Sequence, residues 1–233
     1  MKIAIMQPYI FPYLGYFQLI NAVDKFVFYD DVNFIKKGWI NRNNILIKGE
    51  PKLFTIPLSK PSQNKLIKEI EVSFDEKWLL NFQKKLEYNY KKAPFYYEVL
   101  ALINDVFSLN NNYISDLAIN SVIIASNYLG IETEFTKSSF DFKDTKGLSK
   151  ADRLIEISKR SDAKNYINPI GGKNMYNKDY FEERGVQLNF MESNLLKYNQ
   201  FNNPFVSGLS IIDVLMFNSK EEVKKLLKES KLI

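Results

Sequence analysis

Histidine and cysteine are both missing from this 233-residue chain. Without histidine there is no Ser-His-Asp triad and no histidine-ligated zinc. Without cysteine there are no disulfides and no thiol chemistry. An enzyme built from this sequence must move protons with Asp, Glu, Lys or Tyr. No run of roughly 18 apolar residues occurs, so no membrane-spanning helix is expected. The first residues carry one lysine and then a strand-like run broken by Pro8. That pattern does not read as a signal peptide, and a cytoplasmic address is the expectation.

What is present is ordinary for a folded chain: 45% hydrophobic and 25% charged residues. The length suits one domain over 1–233 with a sizeable core and an insertion at about 39–130. The net charge is +5 with a pI near 9.0, and lysine supplies much of it. Two readings stand: a general drift in composition, or a basic face for an acidic partner such as a nucleotide, an acidic carrier protein or RNA.

Residues 2–6 and 25–29 are short apolar runs with β-branched and aromatic residues, and 14–22 between them is long enough for two helical turns. Strand, helix, strand suggests a βαβ opening. NILIK and KLFTIPL flank Gly49-Glu50-Pro51 and read as a β-hairpin, with EIEV at 69–72 as a third strand. Helical spacing comes next, with Trp78, Leu79, Phe82, Leu86 and Tyr90 on one face. Asp75 or Ser73 can cap that helix. Pro94 and Ser115 can open two more, and Gly130 stops the last. Strands are expected at 132–136, 164–167 and 186–191, alternating with helices at 149–160 and 178–184. Two helices, near 210–217 and 219–229, close the chain. The expected fold class is α/β, a Rossmann-like and mainly parallel sheet with an inserted β-hairpin and helical segment.

Parallel sheets of this kind place ligands beyond the carboxyl ends of their strands. That edge holds Gln7 and Pro8 after the first strand and Asp30-Asp31 after the second. Pro8 and Pro12 stiffen MQPYIFPYLGY, either as a purely structural turn or to present Gln7, Tyr9 and Tyr13 to a ligand. The acidic pair is either a turn feature or half of a site. Lys36, Lys37, Trp39, Asn41 and Arg42 lie shortly after it, and cations and amides beside carboxylates suit a polar or phosphorylated ligand. Asn168-Pro-Ile-Gly171-Gly172 comes directly after a strand. It is either a tight turn or a source of backbone N–H groups for phosphate, although the P-loop spacing is missing. Ser210 reads as a helix N-cap with Asp213 in the first turn.

MQPYIFPYLGYF, YDDVNFIKKGWINRNNI, the serine pair at 138–139, ADRLIEI, YINPIGGKNMY and LSIIDVLMFN occur in that order along almost the whole chain. Together they resemble the WbqC-like family. Family members commonly begin this pattern with His-Gln-Pro or Met-Gln-Pro, and here Met6 stands first, so a histidine there is not required. The resemblance implies transfer of glycine, or a similar aminoacyl group, to the amine of a nucleotide-linked (dTDP) amino-deoxy sugar for O-antigen biosynthesis. The donor would be a thioester on the phosphopantetheine of an acyl carrier protein, with no tightly bound cofactor and no dedicated metal site. In that reading Asp30 or Asp31 accepts the amine proton, and Lys36 or Asn41 steadies the oxyanion. Arg42, Arg153, Asn168 and the Gly171-Gly172 turn are candidates to bind the substrate, the arginines and glycines at its pyrophosphate. Tyr9, Tyr13 and Trp39 would stack on the base. The rivals are an aminoacyl-tRNA-dependent transferase, a nucleotidyl or glycosyl transferase, and a non-catalytic sugar-nucleotide-binding protein.

Overall fold

The computed structural model describes residues 1–109, 111–201 and 203–233. Its elements in chain order begin with β1 (Lys2–Met6), α1 (Leu14–Asn21) and β2 (Lys25–Phe28). The hairpin β3 (Arg42–Ile47) and β4 (Glu50–Thr55) is next, then α2 (Glu76–Tyr90), α3 (Tyr96–Ser108) and α4 (Ile114–Leu129). Alternation resumes with β5 (Glu134–Lys137), the short α5 (Ser138–Asp141), α6 (Lys150–Arg160), β6 (Asn165–Pro169), α7 (Lys178–Glu182) and β7 (Gln187–Ser193). Two helices, α8 (Ile211–Phe217) and α9 (Lys220–Leu226), and the strand β8 (Ser230–Leu232) end the chain.

Six strands form one sheet in the order β5-β2-β1-β6-β7-β8, and only the β7–β8 pairing is antiparallel. Successive residues of β1 and β2 alternate between the two faces. Ala4, Phe26 and Phe28 join a large core with α1, α3, α4, α8 and the hairpin. Ile3, Ile5 and Val27 face Leu154, Ile157, Phe181 and Phe190 on the other side. Burial on both faces explains why β1 and β2 read as continuous apolar runs. From β1 the chain steps out through β2 to β5, then returns past β1 to β6 and β7. The order therefore reverses between β1 and β6, where open α/β sheets bind their ligands.

The caps obey local chemistry. Asp75 accepts the N–H of Trp78 at 2.7 Å, and Ser149 accepts that of Asp152. Gly130 ends α4 in the left-handed conformation (φ +68) that favours glycine. The hairpin turns through Lys48 and Gly49, both at positive φ, as a two-residue turn requires. Contrary to expectation, EIEV makes no third strand of the hairpin sheet. A 3-10 turn at Ile67–Glu69, braced by the Leu66 N–H donating to the Glu69 carboxylate, buries Ile67 and Ile70. Glu71 and Val72 make only isolated bridges, to Tyr113 and Leu58 respectively. The edge strand β8 has no counterpart among the strands expected from sequence. Among the described residues no helix is long and apolar enough to cross a membrane.

A buried carboxyl ties the hairpin side together. Asp213 in α8 is fully buried and accepts from Tyr90 Oη at 2.7 Å, Tyr198 Oη at 2.6 Å and Gln200 Nε2 at 2.8 Å. Tyr90 Oη in turn accepts the Leu46 N–H. Burial raises the Asp213 pKa above its usual 3.8, and its three donors only partly offset this. The native state therefore holds this proton more tightly than the unfolded chain. The associated stability is present at low pH and is lost as pH rises through the native pKa. Relative to an Asp213→Asn variant, the parent should lose melting temperature as pH rises from about 4. A pH-independent difference between the two melting temperatures would show that the carboxyl titrates normally.

Candidate functional site

Phe11 is the pivot of the opening corner. It is fully buried, with φ at +40, a conformation that a bulky residue adopts only when its surroundings impose it. Its N–H donates to Ser121 Oγ at 2.9 Å, and its carbonyl accepts from Asn43 Nδ2 and Ser210 Oγ, both at 2.7 Å. On either side, the Ile10 N–H donates to the Ile40 carbonyl and the Ile211 N–H to the Pro12 carbonyl. Tyr16 Oη donates to the Gln7 carbonyl at 2.8 Å. The loop is thus held by α4, the hairpin, α8 and its own helix.

The corner forms one wall of a cleft of about 410 Å³, lined by Met6, Tyr9, Pro12, Tyr13, Trp39 and Pro169, among others. Met6 and Pro169 are the last residues of β1 and β6, so the cleft lies at the switch point. Its described lining residues carry no formal charge. Burial raises the phenols of Tyr9 and Tyr13 above 10.0, so both present neutral hydroxyls. Grooves of about 620 Å³ beside Lys84 and Phe201, and about 630 Å³ beside Tyr176 and Glu183, are larger, but neither includes a strand end. An added Cβ on Gly15 would meet the Tyr13 ring at 2.4 Å, so Tyr13 lies across the first turn of α1.

Past the end of β2, the strand paired with β1, Asp30 and Asp31 are 2% and 4% exposed. Each has a different set of partners. Asp31 accepts from Arg153 Nη2 at 2.6 Å and from Ser138 Oγ at 2.5 Å. Arg153 reaches it from α6, donates from Nε to Thr145 Oγ1, and lies 4.8 Å over the Tyr29 ring. Asp30 accepts at Oδ1 from the Ser139 N–H at 3.0 Å and more weakly from Ser138 Oγ, and at Oδ2 from Ser139 Oγ at 2.6 Å. Ser139, whose N–H and hydroxyl both bond Asp30, is only half-buried. The pairing of β2 with β5 brings the two serines to the two aspartates.

Several other candidates have occupied partners. Asn41 is buried and donates from Nδ2 to the Ile56 carbonyl, bracing the hairpin. Arg42 donates from Nε to the Gly38 carbonyl at 2.9 Å and from Nη2 to the Lys37 carbonyl, while facing Trp39 at 5.9 Å. Asn168 accepts from Tyr166 Oη and covers Gly172, whose added Cβ would strike its Nδ2. Gly171 is open, and Lys36 and Lys37 are exposed on the turn before Trp39. Asn43, Tyr16 and Ser121 are new to the site. Ser138-Ser139 reads in sequence only as a polar loop, because nothing local indicates that β5 lies beside β2.

The parallel sheet and its aromatic switch-point cleft define a doubly wound α/β protein. The chain belongs to the WbqC-like protein family, whose profile matches residues 7–225. Over 233 residues it is 27% identical to the uncharacterized protein Rv1507c of Mycobacterium tuberculosis (strain ATCC 25618 / H37Rv), covering 97% of each chain. No solved structure matches it significantly.

The unequal partners of the two aspartates give a direct test. Asp31→Ala would leave the Arg153 guanidinium buried without its counter-charge, which typically costs about 3–5 kcal/mol. Urea unfolding should show a loss of that size. A loss below about 1 kcal/mol, the range of an exposed pair, would mean that water already reaches Arg153.

Proposed function

We propose that this chain transfers a small aminoacyl group, glycyl first among candidates, to the amine of a nucleotide-linked amino-deoxy sugar. The acyl donor is a thioester on a carrier protein. One observation carries the substrate half of this reading: an uncharged aromatic cleft at the end of β1, whose neighbouring strand β2 leads into the Asp30 carboxylate. Tyr9, Tyr13 and Trp39 line the cleft and would offer flat faces, with hydroxyl or N–H edges unpaired among the described residues, to a nucleobase. Membership in the WbqC-like family, for which the sequence resemblance implies aminoacyl transfer, supports the acyl chemistry.

In the transfer step the sugar nitrogen attacks the thioester carbonyl. The C–N bond forms, the C–S bond breaks, and the thiolate departs. Asp30 takes the proton from nitrogen, directly or through the Ser139 hydroxyl, which already donates to it. Asp31 is the weaker candidate because its charge is matched by Arg153. No covalent intermediate on the protein is needed, which fits a chain without cysteine or histidine.

A second reading has its own observation. Both oxygens of Asp30 are already hydrogen-bonded within the protein, as in a structural carboxylate. Under that reading the chain binds a sugar nucleotide without turning it over. Two measurements decide. A dTDP-linked amino sugar should raise the melting temperature, by the equivalent of about 2.7 kcal/mol at 100 times its Kd, and no shift at millimolar ligand would overturn the substrate class. With carrier-bound glycine added, Asp30→Asn should lose about 10²–10⁴ in rate while still binding the sugar nucleotide. Turnover within about threefold of the parent would remove Asp30 as the base, and no turnover by the parent would favour the binding protein.

A further inference from the structure

A nucleotide-linked sugar brings a diphosphate with two negative charges, yet the described lining of the cleft supplies no cation. The charge must be met at the rim. Several obvious candidates are spent. Arg153 is buried against Asp31, Thr145 and Tyr29. Arg42 has its guanidinium turned onto the carbonyls of Lys37 and Gly38. The first turn of α1 is roofed by the Tyr13 ring, and Gly172 lies under Asn168.

Arg42 instead braces a short turn. The Gly38 N–H donates to the Ile35 carbonyl, and Lys37 is held at φ +61, in the left-handed region. On this turn Trp39 lines the cleft, while Lys36 and Lys37 are exposed and make no ion pair among the described residues. Trp39 of the aromatic wall and two cations unpaired among the described residues therefore sit on one turn. We infer that Lys36 and Lys37 form the diphosphate subsite of the cleft, with Arg42 as a positioning residue that holds their turn. This rests on the nucleotide-sugar reading and deepens it. Lys36 then serves as a charge for the phosphates rather than as an oxyanion donor. An ammonium is a compact point charge suited to phosphate oxygens without the fixed fork of an arginine.

The test uses calorimetric titration of the full chain with dTDP and with thymidine, at low and high salt. The parent should bind dTDP about 10- to 100-fold more tightly than thymidine, and salt should narrow that gap. In the double variant Lys36→Ala/Lys37→Ala, dTDP should fall to the affinity of thymidine, while thymidine itself is unchanged. Both side chains are exposed, so the melting temperature should hold within about 2 °C. Lys173→Ala, beside the Gly171-Gly172 turn, should keep the full preference for dTDP. A double variant that still prefers dTDP, or a Lys173 variant that loses the preference, overturns the assignment and leaves the nucleotide-sugar reading standing. A parent that binds neither compound overturns both.

Discussion

The site depends on one backbone unit, the peptide groups around Phe11. A non-glycine residue at positive φ is strained by about 1–2 kcal/mol, so the conformation persists only because its partners over-determine it. Those partners come from far apart in the chain: Ser121 on α4, Asn43 on β3 and Ser210 at the start of α8. Together they satisfy one N–H and one carbonyl that would otherwise be buried unpaired, each at a typical cost of about 1–3 kcal/mol. The two prolines lower the entropic cost by limiting what the loop can do when unfolded. That explains a stiff aromatic exit from a buried strand: the corner is where the inserted hairpin and helices are fastened to the parallel sheet, and the cleft wall is a consequence of that fastening.

A second constraint separates the roles of the acidic pair. Consecutive residues beyond β2 share the Ser138 hydroxyl but otherwise send their carboxylates to different partners. Asp31 meets a buried guanidinium and binds the sheet edge to α6, while Asp30 meets hydroxyl and amide donors. A buried ion pair adds little net stability over apolar packing, but removing one partner is expensive. Asp31 therefore reads as an anchor. Asp30 is bonded to neutral donors, two of them on the half-buried Ser139, which is why the proposed transfer step gives the proton to it rather than to Asp31.

Much of the fold was legible because it is written in period and punctuation. The βαβ opening, the hairpin at Lys48-Gly49, the Asp75 and Ser149 caps and the Gly130 stop all rest on local chemistry. EIEV misled because short runs of alternating residues carry a strand signal that tertiary packing can override. The buried side chains of Ile67 and Ile70 won there. β8 is three residues long and mostly exposed, too little for any pattern. At the site, the aromatic residues and the aspartates were legible from strand-end position. Their bonding was not. Asn41 and Arg42 look free in sequence, and only the fold shows both turned onto backbone carbonyls. Asn43, two residues from Asn41, gave no sign that it holds the corner.

Charge is distributed unevenly around the site. A cleft walled by neutral aromatic faces favours a flat, uncharged ring, since burying an ion there would require a partner that the described lining does not supply. Exposed lysines on the Ile35–Trp39 turn can meet anionic groups at little desolvation cost, because their charges remain in water until the ligand arrives. In the proposed reading, a substrate with a neutral aromatic head, an anionic middle and an amine at its far end would be matched by the aromatic cleft, the lysine turn and the carboxylate. The basic character of the chain as a whole says little about this. Lysines on the outer face of α2 add to the same total without approaching the strand ends. It is the placement of Lys36 and Lys37 on the turn that also carries Trp39, rather than the net charge of +5, that argues for an anionic ligand.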